Sequence, residues 1–152
     1  MHPSEPVSTQ VVTENIGLLL SLASAQGVAA ANAVLRPLEL SSRSFSLLEV
    51  VAHADGASQR ELADAIRLDP SQIVTLLDTL ERRGLLERRP NPHDRRQRLV
   101  VITARGRTLL EEASGLVERS LDDVLADLAG SERETLRDLL HRVVHRQLNH
   151  VS

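Results

Sequence analysis

Apolar residues recur at helical spacing over most of the chain. Between Gln10 and Leu35 they fall at Val12, Ile16, Leu19, Leu20, Ala23, Val28, Ala31 and Leu35. These three- and four-residue steps predict one long helix with an apolar face. Its small residues (ASAQGVAAANA) suit the close approach of another helix, and Pro37 ends it. Residues 1–9 carry two prolines and no periodicity, so they read as a loose tail. A second helix starts at a cap on Ser41 or Ser42 and presents Phe45, Leu48, Val51 and Ala52. It stops at the turn signal Asp55-Gly56.

The spacing then shortens. Ser58 and Glu61 have the S-x-x-E pattern of a capping box, opening a helix with Leu62, Ala65 and Ile66. Arg67, Leu68 and Asp69 form a tight turn. Asp69 caps the next helix, Pro70 fits its first position, and Gln72 can reach back to the cap. This helix runs to about Arg83, with Gly84 placed to end it. Ile73, Leu76, Leu77 and Leu80 make its buried stripe, while Ser71, Gln72, Thr75, Asp78 and Thr79 lie mostly opposite. A short capped helix, a tight turn and a longer helix with a small polar face form a helix-turn-helix.

Leu85–Arg89 and Arg98–Ile102 read as strands, joined by PNPHDRRQ as a hairpin loop. A hairpin directly after a recognition helix is a wing. Thr103 caps a long helix carrying Leu109, Leu110, Ala113, Leu116, Val117, Leu121, Val124 and Leu128, stopped by Gly130. Ser131 and Glu134 suggest a further capping box, and Leu136, Leu139, Leu140, Val143, Val144 and Leu148 stripe the last helix. The expected fold is mostly α with a small β-hairpin wing, in one domain over 1–152. The winged helix-turn-helix lobe covers 41–103. The apolar stripes of 10–36 and 104–148 exceed what so small a lobe can cover, so they are read as dimerisation helices. A twofold dimer would set two recognition helices about one DNA turn apart and favour a pseudo-palindromic operator.

Composition narrows the chemistry. The 152 residues include one aromatic, Phe45, so the core is aliphatic. Without cysteine, disulfides and thiolate metal sites are excluded. No uninterrupted apolar run reaches the roughly 18 residues of a membrane span. The N-terminus lacks a signal-peptide pattern, which leaves the cytoplasm as the expected location. Net charge is −3, unevenly placed: Arg82–Arg107 holds nine arginines against Glu87 and Asp94. A chain polarised in this way can bind a polyanion through one face.

The site residues follow from this layout. Arg95 and Arg96 at the wing tip suit a minor groove, where guanidinium is drawn to the concentrated negative potential. Asp94 would be repelled by phosphate, and its expected part is to pair with Arg96 and hold the loop. Ser71, Gln72 and Thr75 are candidates for base edges in the major groove. Ser58, Gln59 and Arg60 are placed to meet phosphate. Arg82, Arg83, Arg88, Arg89 and Arg98 are secondary phosphate candidates, some of which must point away from the duplex. His141 and His145 share one helix face and His150 follows, but no H-E-x-x-H glutamate accompanies them. No metal site, cofactor or catalytic constellation is read from the sequence. The competing readings are an architectural DNA binder, disfavoured by the acidic remainder, and an enzyme using the histidines.

NPHDRRQRLVVITARG (Asn91–Gly106) resembles the wing signature of the MarR family of bacterial regulators: D-R-R, an apolar strand, then Ile-Thr-x-x-Gly. LLDTLERRGLLERR (Leu76–Arg89) is similar to the end of that family's recognition helix. The resemblance spans about residues 10–148 in the family's element order. It implies a dimeric winged-helix regulator, most often a repressor, with Asp94 and Arg96 in the wing roles given above. It also implies a small-molecule effector in a crevice between dimer base and lobe, which Arg43, Phe45, Ser46 and His53 would line by position. Arg43 would receive an anionic group. One departure stands out: Val74-Thr75 replaces the Thr-Arg that members often carry, so that basic contact is missing.

Overall fold

The computed structural model describes residues 14–148. Two long helices and a third, terminal one flank a small lobe of three helices and three strands. Helix α1 (Ile16–Leu35) begins where Asn15 takes an extended conformation and its Oδ1 accepts the Leu18 N–H at 3.1 Å. The sequence predicts a helix starting at Gln10; the extended backbone at Asn15 prevents one continuous helix from there, and residues 1–13 lie outside the described part. A single 3₁₀ turn (Arg36–Leu38) follows, with Pro37 inside it. Glu39 then adopts a left-handed conformation (φ 53°) that redirects the chain.

Helix α2 (Ser42–His53) is capped by Ser41, whose hydroxyl accepts the Ser44 N–H at 3.1 Å. The Ser42 N–H instead donates to Asn32 of α1 at 2.8 Å, pinning the two helices at their junction. Gly56, at φ 85°, makes the turn that an L-residue would resist. Strand β1 (Ala57–Ser58) leads into α3 (Gln59–Ile66), and Arg67 closes that helix in the left-handed region. Helix α4 (Pro70–Arg82) ends ahead of Gly84 (φ 70°). Strands β2 (Leu86–Pro90) and β3 (Arg98–Ile102) pair antiparallel, with Leu86 opposite Ile102 and Pro90 opposite Arg98. The sheet order is β1-β3-β2. Sequence periodicity misses β1, since two residues are too short to alternate. Its pairing with Leu99 and Val100 is a purely tertiary event.

The lobe buries its own core. Leu47, Leu48, Leu62, Ile73, Leu77, Leu80, Leu85 and Val100 are essentially inaccessible, each worth about 1.5–3 kcal/mol against exposure. Leu35 and Ala113 extend that core into the long helices.

Helix α5 (Ala104–Val124) packs along α1, where Gly27 faces Leu121. It ends four residues short of the expected Leu128, and Gly130 does not stop it. Residues 125–129 turn, and Gly130 opens α6 (Gly130–Leu148). The predicted Ser131–Glu134 box does not form: Glu132 accepts the Ala129 N–H at 2.9 Å instead. Arg133 ties this corner through its bonds to Leu128 O (3.2 Å) and Asp122 (2.8 Å). Beyond it α6 has no broad contact with the rest of the described chain. Leu139, Leu140, Val143 and Val144 on α6 are exposed, as are Ile16, Leu19, Leu20, Leu22 and Val28 on α1.

Candidate nucleic-acid interface

The lobe presents α4 by its packing. Ile73, Leu77 and Leu80 face the core at 1% exposure each, which leaves Ser71, Gln72, Val74, Thr75, Asp78 and Thr79 outward. Gln72 Oε1 accepts the Asp69 N–H at 3.4 Å, so part of this amide helps cap its own helix. Thr75 donates its hydroxyl to Ser71 O at 3.2 Å. Its oxygen can therefore act toward a base as an acceptor, for which adenine N6 and cytosine N4 are the matching donors. In the sequence Val74 stands out only as part of a departure from the family pattern, because an apolar residue interrupts the polar face. Exposed beside Ser71 and Thr75, it offers a methyl surface of the kind that contacts a thymine methyl.

Helix α3 opens with the expected Ser58–Glu61 capping box, which engages a residue also read as a phosphate contact. Both of its donors are taken by Glu61: the N–H and the hydroxyl each reach Oε2 at 2.8 Å, while the Glu61 N–H returns to Ser58 Oγ at 3.3 Å. These bonds, the backbone one first, hold the Glu61 carboxyl below the usual glutamate range. A carboxylate therefore sits where a phosphate would dock, and Ser58 is a capping residue. Of the predicted trio, Gln59 and the exposed Arg60 keep side chains available.

The wing is firmly rooted. Thr103 Oγ1 donates to Gly84 O at 2.7 Å and accepts the Gly106 N–H at 3.0 Å, while its own N–H reaches Leu85 O at 3.1 Å. A Cβ on Gly106 would lie 2.1 Å from Leu85 O. The Thr-x-x-Gly pattern thus seats helix α5 directly against the start of the wing.

Its tip is an exposed loop closed by Asn91 N–H to Gln97 O and Gln97 N–H to Asp94 O, both 3.0 Å. Asp94 Oδ1 accepts the Arg96 backbone N–H at 3.0 Å. The expected pairing of Asp94 with Arg96 thus runs through the amide, which leaves the guanidinium outward. Neither Arg95 nor Arg96 has a side-chain partner among the described residues.

The other arginines divide. Arg88 pairs with Glu81 and, at 2.7 Å, with Asp78, clamping α4 to β2. Burial works against its charge, yet the two carboxylates prevail and raise its pKa. Arg89 pairs with Glu87, and Arg83 binds the Leu38 and Glu39 carbonyls. Arg83 and Arg88 drop from the phosphate candidates; Arg82 and Arg98 remain exposed, as does Arg89, whose surface pair with Glu87 holds it only weakly. The run of nine arginines therefore overstates the basic surface, because Asp78 and Glu81, outside that run, fold back onto it.

The four residues expected to line an effector crevice are not brought together. Arg43 and Ser46 border a cleft of about 610 Å³ with Val28, Val50 and Ile66, between α1, α2 and the end of α3. Arg43 also borders a second cleft of about 420 Å³, shared with Ser71, Gln72 and Thr75. Phe45 packs against the core instead. His53 is exposed at the far end of α2, bonded to Glu49 O at 2.8 Å, in a depression against α5. His53 shares a helix face with Ser46 but lies two turns further along α2, about 10 Å up the axis, and that axial distance separates them. His141 and His145 stack at 4.1 Å between ring centres. No group of three or more metal-ligating side chains occurs among the described residues, and His150 lies outside them.

A family model described as MarR family matches residues 38–97, which span the lobe from the end of α1 to the wing loop. The multiple antibiotic resistance protein MarR of Escherichia coli (strain K12) is 32% identical over 114 residues, covering 74% of this chain and 79% of MarR. The chain belongs to the MarR family. The HTH-type transcriptional regulator YdgJ of Bacillus subtilis (strain 168) is 34% identical over 104 residues, which is 68% of this chain. That match covers 63% of YdgJ, less than two thirds of its length.

Solved family structures superpose closely. CouR from Rhodococcus jostii RHA1, bound to p-coumaroyl-CoA, has a TM-score of 0.76 at 38% identity, covering 88% of this chain and 94% of CouR. A mutant of E. coli MarR complexed with operator DNA has a TM-score of 0.74 at 26% identity, covering 91% of this chain and 99% of that one. The winged-helix fold expected from the sequence is the fold of this family.

Proposed function

We propose that this protein is a dimeric, sequence-specific transcriptional regulator, acting as a repressor in the cytoplasm. The wing carries this reading: two arginines whose side chains meet no partner among the described residues project from a loop whose shape Asp94 holds through a backbone amide. A cation held in this way suits the minor groove, while the exposed face of α4 suits the adjacent major groove. Ser71, Gln72, Val74 and Thr75 read bases, and Gln59, Arg60, Arg82 and Arg98 hold phosphates. The E. coli MarR mutant complexed with operator DNA supports DNA as the ligand of this fold.

The second copy follows from the uncovered faces of α1 and α6. Helix α1 with its 3₁₀ turn, Ile16–Leu38, is long and apolar enough to cross a membrane by length and composition. Its seating along α5 and its continuity with the lobe core favour a protein partner over lipid. A dimer also supplies the second recognition helix that a pseudo-palindromic operator needs.

DNA affinity is set by a small molecule in the Arg43 cleft, where a cation borders Val28, Val50 and Ile66. That lining suits an amphipathic anion, and CouR's CoA thioester ligand is consistent with it. Coupling arises because the cleft lies between the dimer base and the reading lobe.

Competition binding tests this function. Duplexes selected by the protein from a random pool should outcompete random duplex by about 10³-fold or more. Equal affinity would replace the regulator with an architectural DNA binder.

A further inference from the structure

Arg83 is the last turn of the recognition helix made into a bracket. It caps α4, and its guanidinium crosses to residues more than forty positions earlier in the chain. Nη1 donates to Glu39 O at 2.6 Å and Nη2 to Leu38 O at 2.9 Å. Those carbonyls lie where α1, the helix carrying much of the uncovered apolar face, gives way to the lobe.

The backbone there is unusual. Glu39 sits at φ 53° without being glycine. Its N–H returns to Arg36 O at 2.9 Å, and the Leu40 N–H returns to Leu35 O at 3.2 Å. This tight closure points successive carbonyls outward, where the C-terminal end of a helix favours a cation. A planar guanidinium can hold two acceptors at once, which an ammonium does with less directional control. Leu35 and Leu40, on either side, are buried at 0% and 6% exposure, and Asn32 holds Ser42 at 2.8 Å. The junction is thus anchored on the base side, and Arg83 carries that anchorage to the reading helix.

We propose that Arg83 is a positioning residue for DNA recognition: it fixes the orientation of α4 relative to the dimer base, and so the separation of the two recognition helices. This rests on the dimeric DNA-binding reading above. Arg83 itself is held off the phosphates, because both terminal nitrogens of its guanidinium are bound to carbonyls of the same chain. The consequence is a division of labour at the end of α4. Arg82 faces solvent and is available to DNA, whereas its neighbour determines where the helix points.

The test uses the full-length protein and the duplex it selects from a random pool, with spacers between half-sites lengthened or shortened by one base pair. Wild type should discriminate strongly against both altered spacers. Arg83→Ala should lose roughly tenfold in affinity for the matched duplex, the scale of one charge-assisted contact. Its discrimination between spacers should shrink severalfold, while the salt dependence of binding stays at the wild-type slope. A purely stabilising role would lower the melting temperature and leave spacer discrimination intact, overturning the proposal. A salt slope reduced by about one would make Arg83 a phosphate contact and also overturn it.

If Arg83→Ala does not fold, Arg83→Lys takes its place, since it keeps the charge but loses the two-point grip. Wild-type discrimination in that variant overturns the proposal, and intermediate discrimination supports it. Failure of the wild-type protein to select any duplex overturns the DNA-binding reading and this inference together. Selection by wild type with spacer discrimination unchanged in the variants overturns the inference alone.

Discussion

The lobe and the terminal helices are built from the same aliphatic residues but close their surfaces differently. In the lobe, Leu62, Ile73, Leu77 and Leu80 meet inside a shell of capped helices and a three-stranded sheet, and are buried to within 1%. On α6, Leu139, Leu140, Val143 and Val144 repeat at the same helical spacing and remain 41–60% exposed. The lobe completes its own apolar surface within one chain. The terminal helices do not, and a second copy is what their exposed stripes are suited to meet. Periodicity alone reports that a face will be buried; it does not report which chain will bury it.

The largest effect should come from charging the open faces. Leu139→Glu combined with Val143→Glu places two carboxylates on one side of α6. Light scattering should then find monomers, and operator affinity should drop by about 100-fold or more as two-site binding becomes one-site. The lobe should keep its helical circular dichroism. A variant that remains dimeric would remove α6 from the interface.

Next comes the closed core. Leu77→Ala should destabilise the protein by about 2–5 kcal/mol in denaturant melts, since a cavity opens beneath α4. A cost near that of a surface change would mean that the lobe repacks and is less distinct from the terminal helices than its burial suggests.

Arg96→Ala should be smaller on stability and specific to function. Operator affinity should fall by about 1–3 kcal/mol with an unchanged melting temperature. Full affinity in the variant would remove the wing tip from the interface.

The smallest effect is in acid. Ser58 holds the Glu61 carboxyl below its ordinary value, so the box contributes stability above the unfolded glutamate pKa of about 4.3. That contribution is lost as pH falls through the lower folded value, when the carboxylate takes up a proton. Glu61→Gln should therefore flatten the acid limb of a stability–pH curve. An acid limb identical to wild type would show the box to be energetically silent.

Caps and turns were legible because their chemistry is local. Ser58 with Glu61, Asp69 ahead of Pro70, Gly84, and Thr103 ahead of Gly106 each act within a few residues. The same logic failed at Ser131. Two acidic residues stand close together there, and the chain used Glu132 rather than Glu134. The wing arginines were also legible, since a short hairpin loop leaves long cations little to meet.

Arginine roles elsewhere were not legible, because their partners lie far along the chain or across strands. Arg88 finds Asp78 and Glu81, and Arg83 finds Leu38 and Glu39. Position along the chain grouped Arg43, Ser46, Phe45 and His53; Arg43 and Ser46 do share a cleft, but helix rotation turned Phe45 to the core and two helical turns set His53 apart.

For this protein, then, sequence determined what short-range forces control: helix periods, caps, turns and a polar, outward face on α4. The D-R-R wing and Thr-x-x-Gly junction were enough to place it in a family. Tertiary structure decided which charges remain exposed and which hold the lobe together. It set β1 against β3, clamped Arg88 onto Asp78 and Glu81, and tied Arg83 to the turn after α1. Ion pairs and hydrogen bonds to distant carbonyls depend on three-dimensional approach, and a linear pattern carries no record of that distance.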